Sequence, residues 1–272
     1  MQPTWCLAVA SAVSDPESSG LARQWREGDD RVVVVPLGDP MALTTWALAH
    51  GGLEHLIYVG RQAHAPGMAV AANLLTGRLP QLQVHTSTWC TTTLSLVSLS
   101  AQVSNSVETA HEAVAQLHQL VPAVWSGVWM RSVTGLDEPR PTIAQHLRSL
   151  MPGGPGYLAT LTPYLRIERL PTAAGVSVLP GSTLIVGGQL REPELQQIKG
   201  QAAVSRSVVR APVEDGKSQY GSSDAIELVW MQGAQVLPPS RPSGWCQVCR
   251  SPVWGQFCPF CQVAVVSYQG AE

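Results

Sequence analysis

Four of the six cysteines in this 272-residue chain fall in one short C-terminal stretch. Cys246, Cys249, Cys258 and Cys261 form the pattern C-x2-C-x8-C-x2-C. Each Cys-x-x-Cys pair can close a tight turn around one side of a metal, and the eight intervening residues suffice for a hairpin that brings the pairs together. Because four thiolates make a complete tetrahedral set for Zn2+, the spacing predicts a structural zinc site and not a catalytic one. A rubredoxin-like iron site and a redox dithiol pair are the alternatives.

The same stretch resembles the short zinc-ribbon modules of bacterial and archaeal proteins. In those modules an aromatic residue often precedes the second cysteine pair and a proline follows its first cysteine, as Phe257 and Pro259 do here. Arg250 departs from the pattern, because a glycine usually follows the first pair, and this departure concerns the geometry of that turn. The resemblance implies a zinc ribbon over residues 241–266.

The segment around the cysteines is aromatic and, apart from Arg241 and Arg250, carries little charge. Four thiolates on one Zn2+ carry a net charge of about −2. That charge opposes contact with phosphate, so direct nucleic-acid binding is not favoured. The aromatic side chains form a small core of their own, or some of them anchor a partner or the protein's own main domain; they are Trp245, Trp254, Phe257 and Phe260. Residues 237–244 contain three prolines and predict a domain boundary, so the rest of the chain is expected to keep its core when metal is lost.

The overall composition is that of a folded protein. Charged residues make up 13% of the sequence and hydrophobic residues 45%, the opposite of a disordered chain. The formal net charge of −2 gives no long-range attraction to nucleic acid or an anionic membrane. No apolar run approaches the roughly 20 residues that a membrane helix needs. The first residues lack the basic start of a secretory signal, so we predict a cytoplasmic protein whose thiols stay reduced and able to bind metal.

Apolar strands alternate with amphipathic helices through the first 90 residues. The segments "TWCLAVAS", "RVVVVPL", "EHLIYVG" and "LQVHTST" have the pattern of buried strands. Helices are predicted between them, over residues 14–28, after Asp39 and Pro40, and around "PGMAVAANLLTG". Continuous apolar strands separated by such helices indicate a parallel sheet covered on both faces. The fold class is therefore predicted as α/β, with a Rossmann-like parallel sheet.

A ligand site is expected at the carboxyl ends of these strands, because open parallel sheets bind ligands there. Gly38 and Asp39 follow the second strand, and Arg61 follows the third. The backbone N–H groups near Gly38 and the guanidinium of Arg61 could bind an anion, although Asp39 would repel phosphate and serves as a helix cap. No G-x-G-x-x-G pattern occurs, which argues against a dinucleotide cofactor.

Residues 31–61, a strand followed by Gly-Asp-Pro, a helix and "LIYVG", resemble the ligand-sensing Rossmann-type domains of CRISPR-associated accessory proteins. That resemblance implies a nucleotide ligand, a cyclic oligoadenylate, and a homodimer.

The remaining sequence is predicted to form a β-rich middle region, and no catalytic residue is assigned. Short strands and Gly/Pro turns dominate residues 151–240. Residues 211–218 match a permissive phosphate-loop pattern, but two acidic residues crowd the anion site. Glu108, His111 and Glu112 stand at helical spacing, which we interpret as a solvated helix face, since no second set of metal ligands accompanies them.

The predicted organisation is an α/β domain over residues 1–150, a β-rich region over 151–240 and a zinc ribbon over 241–266. The predicted function is that of a non-enzymatic binding or assembly protein whose ribbon docks in a larger protein complex. The alternative is a nucleotide-sensing protein of the CRISPR-associated type, with or without phosphodiesterase activity.

Overall fold

The structure is a computed structural model that describes residues 4–12, 31–151, 154, 156–170, 182–201, 208–211, 216–231 and 241–267. The helix predicted over residues 14–28 lies outside the described residues. Among the described helices, none is long and apolar enough to cross a membrane.

The first sheet has four strands, all parallel. They are β1 (Trp5–Ser11), β2 (Val32–Pro36), β3 (His55–Arg61) and β4 (Gln83–Trp89), in the order β2-β1-β3-β4. The two central strands, β1 and β3, are buried on both faces, which is why their sequences are apolar at successive positions and do not alternate. The predicted parallel sheet is confirmed.

Helices cover both faces of this sheet. Helices α1 (Ala42–Ala49) and α2 (Ala65–Arg78) pack on the face that contains Ala8 and Ala10 of β1. Helices α3 (Thr93–Ser104) and α4 (Ala110–Ala123) pack on the opposite face, together with Leu7 and Val9. Successive strand residues point to opposite faces, so one strand contributes to both cores.

Helix α3 is the central element of the molecule and was not predicted. Its N-cap Thr92 accepts a hydrogen bond from Ser95 N, and eleven of its twelve residues are buried. The helix lies against β1 and β3 of the first sheet and against β10 of a second sheet. The sequence "TLSLVSLS" alternates between apolar and hydroxyl residues, which is a pattern typical of a strand. The helix has no helical period in its sequence, because both of its faces are buried.

The second sheet has six strands in the order β7-β6-β5-β10-β8-β9. Its strands and helices are β5 (Trp125–Met130), α5 (Ile143–Ser149), β6 (Tyr157–Thr162), β7 (Arg166–Arg169), β8 (Thr183–Gly187), α6 (Glu192–Gln201), β9 (Val208–Ala211), α7 (Gly216–Tyr220) and β10 (Ile226–Met231). Neighbouring strands are antiparallel except for the parallel pair β8 and β9. The β-rich middle region corresponds to this sheet, which also includes β5; the division at residues 150 and 240 stays a prediction.

The C-terminal residues 241–267, here called the cysteine module, form a small antiparallel sheet with β11 (Gly244–Trp245) between β12 (Pro252–Val253) and β13 (Val266–Ser267). Gly244 is required in β11, because a Cβ atom there would lie 2.1 Å from the carbonyl oxygen of Val266. The module packs on α4, and Phe260 joins the core of the first sheet. The module therefore contacts the rest of the chain, and the boundary predicted at residues 237–244 stays a prediction.

Candidate metal centre and ligand crevice

The two Cys-x-x-Cys turns have the same backbone geometry. Arg250 N donates to Cys246 O over 2.9 Å, and Gln262 N donates to Cys258 O over 3.0 Å. Arg250 and Gln262 both adopt a positive φ, 58° and 57°. This left-handed conformation explains why glycine is usual at the position of Arg250, and the structure accommodates arginine there.

The four cysteine sulfurs lie within 4.8 Å of one another. Cys249 Sγ and Cys258 Sγ are 3.8 Å apart, and sulfurs at the corners of a tetrahedron with Zn–S bonds of about 2.3 Å are separated by about 3.8 Å. Cys246 and Cys258 are buried, and Cys249 and Cys261 are half-buried. The donor set and its spacing fit a four-coordinate metal ion.

The ionisation of the thiols also favours a cation among them. Burial opposes ionisation of Cys246, but hydrogen bonds from the backbone N–H groups of Cys249 and Val248 outweigh it and lower the pKa of Cys246 to about 7. Burial and the neighbouring sulfurs raise the pKa of Cys258 and Cys261. A second and third thiolate are therefore costly unless a positive ion balances their charge.

Three histidines of the first sheet and α4 surround the metal side of the module. The ring of Phe260 lies 4.8 Å from the rings of both His55 and His111. His85 donates a hydrogen bond from Nδ1 to Pro259 O over 3.0 Å. His111 Nε2 lies 3.5 Å from Cys249 Sγ. The interpretation of His111 as part of a solvated helix face is wrong: it is 4% exposed, and burial lowers its pKa to about 4.

A cleft of about 400 Å3 opens between α4 and the module. Its walls are largely apolar and include Val114, Trp254 and Phe257. His118 of α4 also lines the cleft. Phe257 is 60% exposed. The module thus combines a buried metal side with an exposed aromatic side.

The second candidate site is a crevice between the two sheets, built around Arg61 at the carboxyl end of β3. Arg61 Nε donates to Thr91 O over 3.2 Å, and Nη1 donates to Gln219 Oε1 over 2.8 Å. Its guanidinium lies 4.3 Å from the ring centroid of Tyr220. Although only 8% of Arg61 is exposed, no carboxylate of the described residues forms an ion pair with it.

A cavity of about 90 Å3 adjoins Arg61. Its walls come from the ends of β3 and β4, from the residues before α3, from the loop after β5, from β6 and from α7. They include Arg61, Trp89, Thr91, Leu136, Leu161 and Gln219, and also the acidic residues Asp137 and Glu138. The amide Nε2 of Gln219 is buried and has no hydrogen-bond partner. A buried guanidinium and a free amide N–H therefore stand beside one small cavity.

The other predicted crevice residues lie elsewhere. Gly38 and Asp39 are exposed in the turn before α1 and are not among the residues that line the cavity. Asp39 Oδ1 accepts a hydrogen bond from Met41 N over 2.9 Å. Because β1 lies between β2 and β3 in the sheet, the loop after β2 is separated from Arg61.

An internal carboxylate occupies the amino end of α3. Glu227 of β10 is 6% exposed and accepts hydrogen bonds from Thr93 N over 3.2 Å and Leu94 N over 2.7 Å. Tyr220 donates its hydroxyl proton to the same carboxylate. Glu227 was not predicted as a functional residue, although a single acidic residue in the apolar strand "IELVWM" indicates a buried carboxylate with a specific partner.

Hydroxyl groups join the two sheets next to this helix end. Thr91 Oγ1 lies 2.8 Å from Ser126 Oγ, which lies 2.7 Å from Thr162 Oγ1. All three residues are buried. These hydroxyls form a buried polar chain, and Thr91 at one end of it lines the cavity beside Arg61.

Comparison with solved structures identifies the architecture. A DegV family protein from Corynebacterium glutamicum matches with a TM-score of 0.60 and 10% identity, over 85% of this chain and 97% of that chain. The fold is that of the DegV proteins. A stearic acid-binding protein from Eubacterium ventriosum matches with a TM-score of 0.59 and 11% identity, over 86% of this chain and 100% of that chain. The fatty acid kinase B3 protein of Streptococcus pneumoniae, loaded with linoleic acid, matches with a TM-score of 0.52 and 12% identity, over 85% and 100%.

No protein-family model matches the sequence, and no curated protein matches it. The DegV likeness therefore rests on three-dimensional structure.

Two predictions are corrected by these matches. The resemblance to CRISPR-associated Rossmann-type domains is wrong, because the matching structures include several DegV family and fatty-acid-binding proteins, each over most of this chain. The predicted function, a zinc-ribbon docking protein or a nucleotide sensor, is wrong on the same finding. A nucleotide ligand has no support, whereas the protein partner and the cytoplasmic location stay predictions.

Proposed function

We propose that this protein binds a fatty acid in the crevice between its two sheets and that Arg61 binds the carboxylate. The observation that carries the proposal is a buried guanidinium that adjoins a cavity and has no ion-pair partner among the described residues. A buried charge normally has a partner. The carboxylate of a ligand would supply that partner.

Two features of the crevice suit a carboxylate. Arginine presents a planar set of N–H donors that matches the two oxygens of a carboxylate. The unpartnered Nε2 of Gln219 adds a donor beside the guanidinium, because Gln219 Oε1 accepts a hydrogen bond from Arg61 over 2.8 Å. Asp137 and Glu138 also line the cavity and oppose an anion, so the donors of Arg61 and Gln219 have to outweigh them. At about 90 Å3, the cavity suits a head group. The acyl chain would extend past Leu136 and Leu161, which line the cavity and belong to a core cluster of the second sheet.

The structural neighbours support the same ligand class. They include proteins described as loaded with heptadecanoic acid and with linoleic acid, and one described as binding stearic acid. Burying an acyl chain contributes about 0.8 kcal/mol per CH2 group, whereas the ionic contact selects the acid over its neutral derivatives.

The test is direct binding of palmitic acid to the delipidated protein, with palmitic acid methyl ester as the comparison ligand. Arg61→Met should weaken binding of the acid at least about tenfold, since a hydrogen bond to a charged group contributes about 1.5–3 kcal/mol. Arg78→Met, which removes an exposed arginine of α2, should bind like the wild type. Equal binding of acid and ester, or equal binding by Arg61→Met, would contradict the proposal.

We also propose that Cys246, Cys249, Cys258 and Cys261 hold one structural Zn2+. The support is a complete set of four sulfurs within 4.8 Å and the paired geometry of the two turns. A closed four-sulfur site offers no position for substrate, so the ion would stabilise the module and take no part in chemistry.

Metal analysis of the purified, reduced protein tests this proposal. We expect one zinc per chain in the wild type and in Cys90→Ser, which removes a cysteine outside the cluster. Cys258→Ser should lose the zinc. Iron in place of zinc, or full zinc retention by Cys258→Ser, would reject the assignment.

A further inference from the structure

The cysteine cluster receives a contact from outside the cysteine module. His111 of α4 places Nε2 3.5 Å from Cys249 Sγ and 3.6 Å from Cys258 Sγ. One nitrogen therefore faces one edge of the sulfur tetrahedron. His111 is 138 residues away from Cys249 in the sequence, so the Cys-x-x-Cys pattern by itself does not include it.

The chemistry of the site decides what this nitrogen does. Four sulfurs complete the coordination of Zn2+, so a fifth donor atom has no position on the metal. The sulfurs carry the excess negative charge, about −2 for four thiolates on one Zn2+, and they accept hydrogen bonds. A neutral imidazole with its proton on Nε2 donates to them, whereas the other tautomer would present a lone pair to negative sulfur.

The position of His111 is determined by packing on several sides. Its Cα belongs to α4, a fourteen-residue helix, and its ring lies 4.8 Å from Phe260 and 5.5 Å from His55. The module is held in register by the separate hydrogen bond from His85 to Pro259 O. Packing therefore holds the nitrogen beside the sulfurs, which is the condition for an effective outer-sphere group.

We propose that His111 is the outer-sphere donor of the metal centre: its Nε2–H hydrogen-bonds to the thiolates of Cys249 and Cys258, slows metal loss and ties the module to α4. The inference rests on the proposed zinc site. It assigns a positioning role to a residue of α4. The metal centre then depends both on α4 and on the cysteine module.

The first experiment measures the rate at which zinc passes from the protein to a chromogenic chelator in excess. His111→Leu fills the buried space without a donor, and His111→Gln retains an N–H near the position of Nε2. His118→Leu is the control, because His118 is on the same helix and contacts Ser87 rather than sulfur. We expect His111→Leu to release zinc about tenfold faster or more, and the other two variants to resemble the wild type.

The second measurement needs no variant and distinguishes a hydrogen bond from simple packing. In zinc-loaded wild-type protein labelled with 15N-histidine, the nitrogen shifts of His111 should report a proton on Nε2. A proton on Nδ1 would overturn the proposal, as would wild-type zinc release from folded His111→Leu. Equally fast release from His111→Leu and His111→Gln would assign the effect to packing and also overturn it.

The outcome also separates this inference from the zinc assignment. If the wild type neither contains nor takes up zinc, both proposals fall. If the wild type holds zinc and His111→Leu releases it at the same rate, only the role of His111 is lost.

Discussion

The two candidate sites of this molecule are built in opposite ways. The cysteine cluster draws its ligands from residues 246–261, two turns with one repeated geometry. The Arg61 crevice collects side chains from β3, β4 and β6, from the residues before α3, from the loop after β5 and from α7. The first can be recognised in a one-dimensional pattern, and the second exists only after the two sheets have come together. Local spacing therefore predicts a metal site far better than it predicts a ligand pocket.

The largest expected effect tests whether loss of the metal from the cysteine cluster destabilises only the cysteine module or also the rest of the fold. Cys258→Ser removes a ligand, and structural zinc contributes on the order of 10 kcal/mol to such a module. Because Phe260 packs in the core of the first sheet, we expect the loss to reach the main fold. The thermal midpoint should fall by roughly 10 °C or more, as measured by circular dichroism. Val248→Ser, at a position 65% exposed in the same module, is the control.

If the thermal midpoint of Cys258→Ser equals that of the wild type, the module folds separately from the rest of the chain, as the prolines of residues 237–244 suggested. The contrast between a local pattern and a shared core would then fail.

An intermediate effect is expected at the distributed site. Glu227→Gln keeps the shape of the side chain but removes the charge that accepts from Thr93 N, Leu94 N and Tyr220. Losing a charged acceptor at a buried helix end should lower the free energy of unfolding by about 1–3 kcal/mol. Urea denaturation measures the change. Glu108→Gln, at an exposed position, should be neutral, and an equally small effect for Glu227→Gln would show that the two sheets do not depend on this contact.

The expected effect that is smallest at neutral pH is a pH dependence beside the crevice. Burial, with a further contribution from the positive charge of Arg61, lowers the pKa of His64 to about 4, whereas an unfolded histidine titrates near 6.5. As pH falls from about 6.5 to 4, the unfolded chain binds the proton first, so stability falls. Above pH 6.5 this contribution is constant.

His64→Gln should therefore reduce the acid-induced loss of stability between pH 7 and pH 4 by on the order of 2 kcal/mol. Denaturation series at several pH values measure it, with the exposed His50→Gln as the control. Parallel pH curves for the wild type and His64→Gln would contradict the assigned cause.

Much of the first sheet was predictable because its strands are buried on both faces. An apolar run such as "CLAVA" has few alternatives in an α/β protein. Helix α3 was missed for a related reason: it is buried on both sides, so its sequence has no amphipathic period. A hydrophobic period appears in the sequence of a helix when one face of the helix is buried and the other is in water. A helix that is buried on all sides has no such period.

Only part of the crevice was predictable. Arg61 was named as a ligand residue because the end of a parallel strand is a frequent ligand position, and that role stays a proposal. Gly38 and Asp39 were grouped with it on the same rule. The rule contains no strand order, and β1 separates their loop from Arg61. Gln219 comes from a five-residue helix in a region where the sequence pattern was weak. Its place beside Arg61 depends on how the second sheet packs.

The return of Phe260 to the first sheet has a consequence for biosynthesis. Synthesis proceeds from the N-terminus, and early segments begin to fold before later ones exist. The strands and helices of residues 5–123 can pair as they emerge, but the notch between His55 and His111 that receives Phe260 must stay open until the whole second sheet has been translated. The nascent chain therefore exposes these two histidine rings until Phe260 is made, and we expect the docking of Phe260 to be among the last steps of folding.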